Sequence, residues 1–471
     1  MSVTQILILA VVAILVNQLK NGRSLALLGV SSLVIYWIQP YQEPVNLTFW
    51  FPTFTLGMTV AFWLMVSTPE TRSWRQNWGA VAVLLGVIVL VDLNRYFQIE
   101  YFFVADTPRL QLVAAVLLAF ALIGFLLVRI KRIPATVFVL AVIGLIVMLL
   151  FLKIPSALTR LIETAAALRG KEAVEVSALS WLGFSYVAFR LMHTVIDRKA
   201  GRLPAVTLAE YVNYVIFFPA FSAGPIDRLE RFIRNLNQPI VLEQAGWVDA
   251  GTRLFWGLFK KFIIADALAW IALNEKFALD VRSTGWMWVL LYAYSLRIYF
   301  DFSGYTDIAI GLGKLLGVQL PENFDAPYLK PNLTQFWSSW HMTLTQWFRS
   351  YFFNPFTRFM RSSKIALLPM WLMVFIAQLA TMILIGLWHG VTLGFFLWGV
   401  WHGVGLFLQN RWSEWMRTHT AAWGMTPWGT NVLRYSGVFL TFHFVTLGWL
   451  FFFMPDPALA WDVMRRLLGV A

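Results

Sequence analysis

Six histidines and no cysteine set the limits of the chemistry open to this chain. Without cysteine there is no thiolate nucleophile, no Cys-ligated metal, no disulfide and no palmitoylation site. Two histidines stand in near-identical surroundings, Leu387-Trp388-His389-Gly390 and Val400-Trp401-His402-Gly403. His389 closes an apolar run over 366–388, and a glycine follows it. An ionisable group is expensive to bury there, which makes His389 a functional candidate. A neutral imidazole bonded to a neighbouring helix is the competing account. His402, flanked by Gly403, suits tight helix packing equally well. Metal ligation is a poor reading, because HExxH is absent and no His is expected at helical i, i+4 spacing from a second His or a carboxylate. The Gly-x-Ser-x-Gly elbow of a serine nucleophile is also missing, and Asp301-Phe302-Ser303-Gly304 does not replace it.

The segment 331–352 reads PNLTQFWSSWHMTLTQWFRSYF. Pro331, Asn332 and Thr334 signal a helix start, and Trp337, His341, Leu344 and Phe348 then fall on one predicted helical face. Such an aromatic stripe is more often packing or a membrane-interface belt, whereas His341 in its middle could face a cavity. Two further segments carry polar groups into apolar surroundings. In 217–228, Pro and Gly precede Asp227-Arg228, which reads equally as a turn with a charged exit. In 299–307, Asp301 and Asp307 close a run that already contains Arg297, and the i, i+4 spacing allows an Arg297–Asp301 pair. Lys260 and Lys261 read as a span end or a headgroup contact.

The elements that must position these groups are membrane spans. Of 471 residues, 59% are hydrophobic and 13% charged, with a mean hydropathy of +0.67. A soluble chain carries roughly 25% charged residues, so this one cannot build a water-facing surface. Disordered, coiled-coil, collagenous and disulfide-scaffold classes are excluded by the same composition. The net charge of +13 is spread between apolar runs. It therefore marks loops flanking spans, with no nucleic-acid partner. Candidate spans fall at 3–18, 24–40, 46–67, 78–94, 110–128, 134–152, 177–196, 206–222, 248–272, 284–300, 366–388, 391–409 and 433–454. The first lacks a basic n-region and a small-residue cleavage site, and is read as a span.

Lys20 and Arg23, Arg72 and Arg75, Arg129 to Arg132, and Arg198 to Arg202 occupy alternate short loops. By the positive-inside rule this puts the amino terminus outside the cytoplasm. The segment 153–176 reads as a small amphipathic helix lying at the interface. Composition shifts near residue 220, from simple Leu, Val and Ala runs to runs broken by Gly, Pro, Asp, Arg, His and Trp. Polar backbone at membrane depth needs cover from protein or a cavity. Residues 1–175 are thus expected to form scaffold helices and 180–455 a core, within a single integral-membrane domain.

Taken in order, these segments resemble the membrane-bound O-acyltransferase family in its bacterial branch. The matching pieces are SAGPIDRLERF at 222–232, GLFKKFIIAD at 257–266 and YFDFSGYTDIAIGLGKLLGVQLPENFDAPY at 299–328. FWSSWHMTLTQWFR at 336–349 and GLWHGVTLGFFLWGVWHG at 386–403 complete the series. Gly-Pro-Ile-Asp-Arg and the Trp-His-Met-Thr-Leu-Thr segment look like the subgroup that moves D-alanine toward teichoic acid. The paired Trp-His-Gly stretches look equally like the subgroup that acetylates exopolysaccharides. Both subgroups carry Asp after Trp-Phe-Arg, where this chain has Ser350.

The resemblance implies an all-α polytopic fold, about 11 to 13 membrane helices with re-entrant or interfacial ones around a central tunnel. It implies His389 as catalytic histidine and His341 as the second polar site residue, positioning a substrate or stabilising an oxyanion. Trp337, Trp340, Trp388, Arg349, Asp301 and Asp307 are the candidate substrate-binding residues. No metal or redox cofactor is expected. The donor would be acetyl-CoA or an acyl carrier protein thioester, and the acceptor an extracytoplasmic glycan, teichoic acid or partner protein. A periplasmic or extracellular acyltransferase partner and a bacterial plasma-membrane location are implied as well. Two other classes compete: a transporter or channel using the intramembrane Asp and His residues, and a non-catalytic envelope-assembly subunit.

Overall fold

The computed structural model describes residues 1–471 except 20, 42–45, 98–106, 131–132, 155–158, 161–162, 165–166, 168–179, 239–243, 363–367, 421–425 and 471. Among the described residues the regular structure is helical, with one isolated antiparallel bridge between Phe324 and Trp340. Lipid offers no hydrogen bonds, so each crossing segment must satisfy its own backbone, and a helix does this. Among the described residues, five helices are long and apolar enough to cross a membrane: Leu47–Val66, Trp74–Asn94, Leu110–Arg129, Met370–His389 and Pro427–Phe453. Shorter apolar helices among the described residues are Val3–Asn17, Arg23–Trp37 and Ala135–Phe151. Leu118, Phe125 and Leu140 stand exposed on these surfaces, as expected where the solvent is hydrocarbon. The chain is a multi-pass membrane protein.

Two compact units form, one of Met1–Leu254 with Ile308–Pro321 and one of Phe255–Asp307 with Glu322–Ala471. In the first unit, 206–222 is not a span. Thr207 caps a short helix, Leu208–Val215, through a capping box with Glu210, and a 3-10 turn follows at Phe218–Ala220. Pro219 and Gly224 stop helix growth here, and Arg190 compensates for the break. Its buried guanidinium donates to the carbonyls of Val215 and Ala220, each at 2.7 Å. The expected interfacial helix over 153–176 lies mostly outside the described residues.

In the second unit, the end of helix Gln244–Phe259 runs on into a π-helical turn, Lys260–Ala265. The run expected to end at 300 continues as one helix, Thr284–Leu315. Gly304 permits a close approach: a Cβ there would stand 2.8 Å from the Lys261 nitrogen. Helices Met370–His389 and Leu393–Thr420 form a hairpin across a three-residue link. Small residues bring their backbones together. A Cβ on Gly386 would lie 2.2 Å from the Phe395 carbonyl oxygen, and one on Gly399 2.7 Å from Ile383 Cα.

The continuous face predicted across 337–348 does not exist. Leu333–Trp337 and Met342–Phe348 are separate helices, with His341 at the break in a left-handed conformation, φ 42° and ψ 53°. The Phe324–Trp340 bridge and the hydrogen bond from Met342 N–H to the Asn323 carbonyl (3.0 Å) hold the break open. Trp337, Trp340, His341, Leu344 and Phe348 are nevertheless all buried.

Candidate active site

His389 is the last residue of the Met370–His389 helix, and extended Gly390 ends the helix immediately after it. Its imidazole is half-buried. Trp388 packs against it at 4.6 Å between ring centroids, Phe452 at 4.8 Å and Trp398 at 5.8 Å, all edge-on. Trp388 also lies edge-on to His341, at 6.3 Å. One indole thus touches both candidate histidines, which belong to segments about 50 residues apart in a chain that folds locally by hairpins.

His341 is buried, 2% exposed. Its ring meets Phe302 edge-on at 4.7 Å. Nδ1 stands 3.2 Å from Asn323 Oδ1, which also accepts from the Thr343 N–H (3.1 Å) and the Thr343 hydroxyl (2.8 Å). The other ring nitrogen, Nε2, is buried with no hydrogen-bond partner among the described residues.

The aromatic candidates divide. Trp340 is enclosed by Phe324, Tyr328, Phe336 and Trp449, so it is a packing residue behind His341. Trp337 faces His402 and Trp398. The indole nitrogens of Trp337 and Trp398 and both ring nitrogens of His402 are buried without a partner among the described residues. His402, fully buried, is separated from His389 by the Trp398 ring, which contacts both.

The charged candidates Asp301 and Asp307 take lysine partners. Asp301 pairs with Lys261 at 2.5 Å, and Asp307 with Lys260 at 2.7 Å. The i, i+4 Arg297–Asp301 pair suggested by spacing is replaced by one between segments, and both lysines are tied to carboxylates from the Thr284–Leu315 helix. Arg349 is exposed at the start of a second π-helical turn, Arg349–Phe353. Contrary to the expectation that no His has a carboxylate at i, i+4, His193 and Asp197 stand at that spacing and pair (3.1 Å); Arg202 shares the carboxylate at 2.5 Å, a structural arrangement. Among the described residues no three His, Asp or Glu side chains gather as a metal site.

Sequence reasoning did not single out Asn323, Phe302, Trp398 or Phe452. Asn323 sits inside the quoted Pro-Glu-Asn-Phe stretch, but nothing in its type or spacing distinguishes it there from a turn residue.

The family model of the membrane-bound O-acyltransferases matches residues 140–451. A probable alginate O-acetylase AlgI of Pseudomonas syringae pv. tomato is 33% identical over 58% of this chain and 48% of its own length. The protein of the same description from Azotobacter vinelandii is 34% identical, over 61% of this chain and 54% of its own length. A teichoic acid D-alanyltransferase of Bacillus subtilis is 30% identical over 58% of this chain and 69% of its own length. The chain therefore spans about half the length of the alginate-type relatives and about two thirds of the teichoic-type one.

Proposed function

The chain belongs to the membrane-bound O-acyltransferase family, and from that premise we propose that it transfers an acyl group from a cytoplasmic thioester to a hydroxyl on an extracytoplasmic polymer. The observation that supports this reading best is the shared contact of Trp388 with His389 and His341. It sets two imidazoles within one aromatic-walled region, where an oriented hydroxyl can react.

His389 is the base in this reading. Its half-burial lets a substrate reach it, which neither His341 nor His402 allows without further opening. As the acceptor oxygen attacks the thioester carbonyl, His389 takes the hydroxyl proton. The C–S bond then breaks, and the imidazolium returns that proton to the departing thiolate. The C-terminal end of a helix favours positive charge by about 0.3–1 kcal/mol, which supports the imidazolium while it exists. The thioester is already activated, so no metal or redox cofactor has a task in this scheme.

The acyl group is acetyl by preference, because two of the relatives named above are called O-acetylases, with D-alanyl as the alternative set by the third. The acceptor is then a polysaccharide or a teichoic acid. A periplasmic or extracellular partner enzyme completing the transfer, a bacterial plasma-membrane location and an extracytoplasmic amino terminus belong to the same reading. Transport is disfavoured, since the two carboxylates that suggested an ion path are held by Lys260 and Lys261.

The test is thioester consumption by the protein in nanodiscs, with acetyl-CoA and a D-alanyl carrier protein supplied in parallel. Turnover of one donor that is lost in His389→Ala supports the reading and selects the donor. Equal turnover by wild type and variant overturns His389 as base.

A further inference from the structure

The orientation of the Asn323 amide decides what His341 can do. Asn323 is fully buried, and one of its side-chain atoms faces the backbone N–H of Thr343 at 3.1 Å. A peptide N–H can only donate, so that atom is the amide oxygen. The same oxygen stands 3.2 Å from His341 Nδ1. An acceptor there requires Nδ1 to carry the ring proton, which leaves Nε2 with the lone pair in the neutral imidazole. Nε2 is buried and lacks a partner among the described residues. A buried acceptor left unmatched costs about 1–3 kcal/mol, so a donor from outside the protein is wanted.

We propose that Asn323 is a positioning residue that locks His341 in the Nδ1–H tautomer, and that His341 Nε2 thereby accepts an O–H from the acyl acceptor. The inference rests on the acyl-transfer reading for the identity of that O–H, and not for the tautomer. It also separates two roles left open by sequence. A lone pair repels a developing oxyanion, so neutral His341 holds a hydroxyl and is not the oxyanion donor. The hydroxyl it holds keeps its proton, because the reacting hydroxyl gives its only proton to His389. The acceptor class that fits is a polyol, with a second hydroxyl near the one acylated. The left-handed backbone of His341 agrees with such a task, since strain of this kind collects at functional positions.

The experiment is nitrogen NMR of the protein labelled with ¹⁵N-histidine in nanodiscs, with His341→Asn used to assign the resonance. Wild type should show His341 protonated at Nδ1 and bare at Nε2. Asn323→Asp, which keeps an acceptor at the same place, should preserve that pattern, and Asn323→Leu should populate the Nε2–H form. Thioester turnover should fall at least tenfold in Asn323→Leu and recover most of the loss in Asn323→Asp. A wild-type His341 protonated at Nε2 overturns the proposal outright. An unchanged tautomer or undiminished turnover in Asn323→Leu removes Asn323 as the positioning residue. If Asn323→Leu does not fold, the wild-type and Asn323→Asp tautomers still decide. The tautomer readout needs no turnover, so it stands or falls apart from the acyl-transfer reading.

Discussion

The ammonium of Lys260 lies 2.7 Å from Oδ2 of Asp307, and that carboxylate is only 6% exposed. Lys260 opens a π-helical turn, a backbone irregularity that re-aims side chains, while Asp307 sits far along the long helix Thr284–Leu315. Removing the ammonium takes a charged partner from a buried carboxylate, and breaking a buried pair costs about 3 kcal/mol or more. Lys260→Met is therefore expected to lower the apparent melting temperature markedly, and Lys260→Met combined with Asp307→Leu to recover most of the loss. Thermal unfolding of wild type, Lys260→Met, Asp307→Leu and the double variant in one detergent checks this. A double variant no better than the single ones would mean that the pair is not a closed unit.

The hairpin behind His389 depends on close backbone contact. A Cβ on Gly386 would stand 2.2 Å from the Phe395 carbonyl oxygen, a backbone atom that cannot rotate away. Gly386→Ala must push the two helices apart, at about 1–3 kcal/mol for overpacking. Because Gly386 lies one turn before His389, thioester turnover should fall at least tenfold with the histidine itself intact. Gly144→Ala is the control, having nothing within 4 Å of its added Cβ, and should be neutral or slightly stabilising. Matched melting and matched turnover in the two variants would contradict the close approach.

Asp227 sets a pH dependence outside the spanning helices. Burial pushes its carboxyl above the ordinary carboxylate range, against the opposing pull of Arg231. Its Oδ1 accepts from the Arg228 N–H (2.6 Å) and from Arg231 Nε (2.7 Å), while Oδ2 is buried with no partner among the described residues. The folded state thus binds its proton more tightly than the unfolded state does. Stability from this group is fully present below the ordinary carboxylate value and is lost as pH rises through the raised folded value. Melting temperature should decline over that window in wild type and flatten in Asp227→Asn. A rise with pH that disappears in the variant would reverse the assignment.

What could be read from sequence was what local pattern encodes. The apolar runs gave most helices, and Trp-His-Gly at the end of a run marked His389, because a costly group inside an apolar stretch is visible in one dimension. Partner choice was not visible. Asp301 has Arg297 at helical spacing, yet it pairs with Lys261, 40 residues away, since helix packing brings that ammonium nearer. The 206–222 run failed as a span for a related reason. Buried Arg190, from another helix, supplies the donors that let the backbone break at Phe218–Ala220. Asn323 carried no signal because its task is defined by Thr343 and His341, both met only after folding.

The backbone of His341 supplies a prediction that separates its conformation from its chemistry. At φ 42° an L-residue with a Cβ meets crowding worth roughly 1–2 kcal/mol, most severe for β-branched side chains. Asparagine tolerates this region, and its amide can still bond locally. His341→Asn is therefore expected to melt close to wild type, whereas His341→Val should be less stable than His341→Asn by about 1–2 kcal/mol. Turnover should fall in both, because neither side chain offers an imidazole Nε2 beside Trp388 and Phe302. Denaturation in mixed micelles measures the first difference and thioester consumption the second. Equal stability of the Asn and Val variants would show that the chain does not hold His341 left-handed. A fully active Val variant would show instead that the strained backbone serves packing, with His389 doing the chemistry unaided.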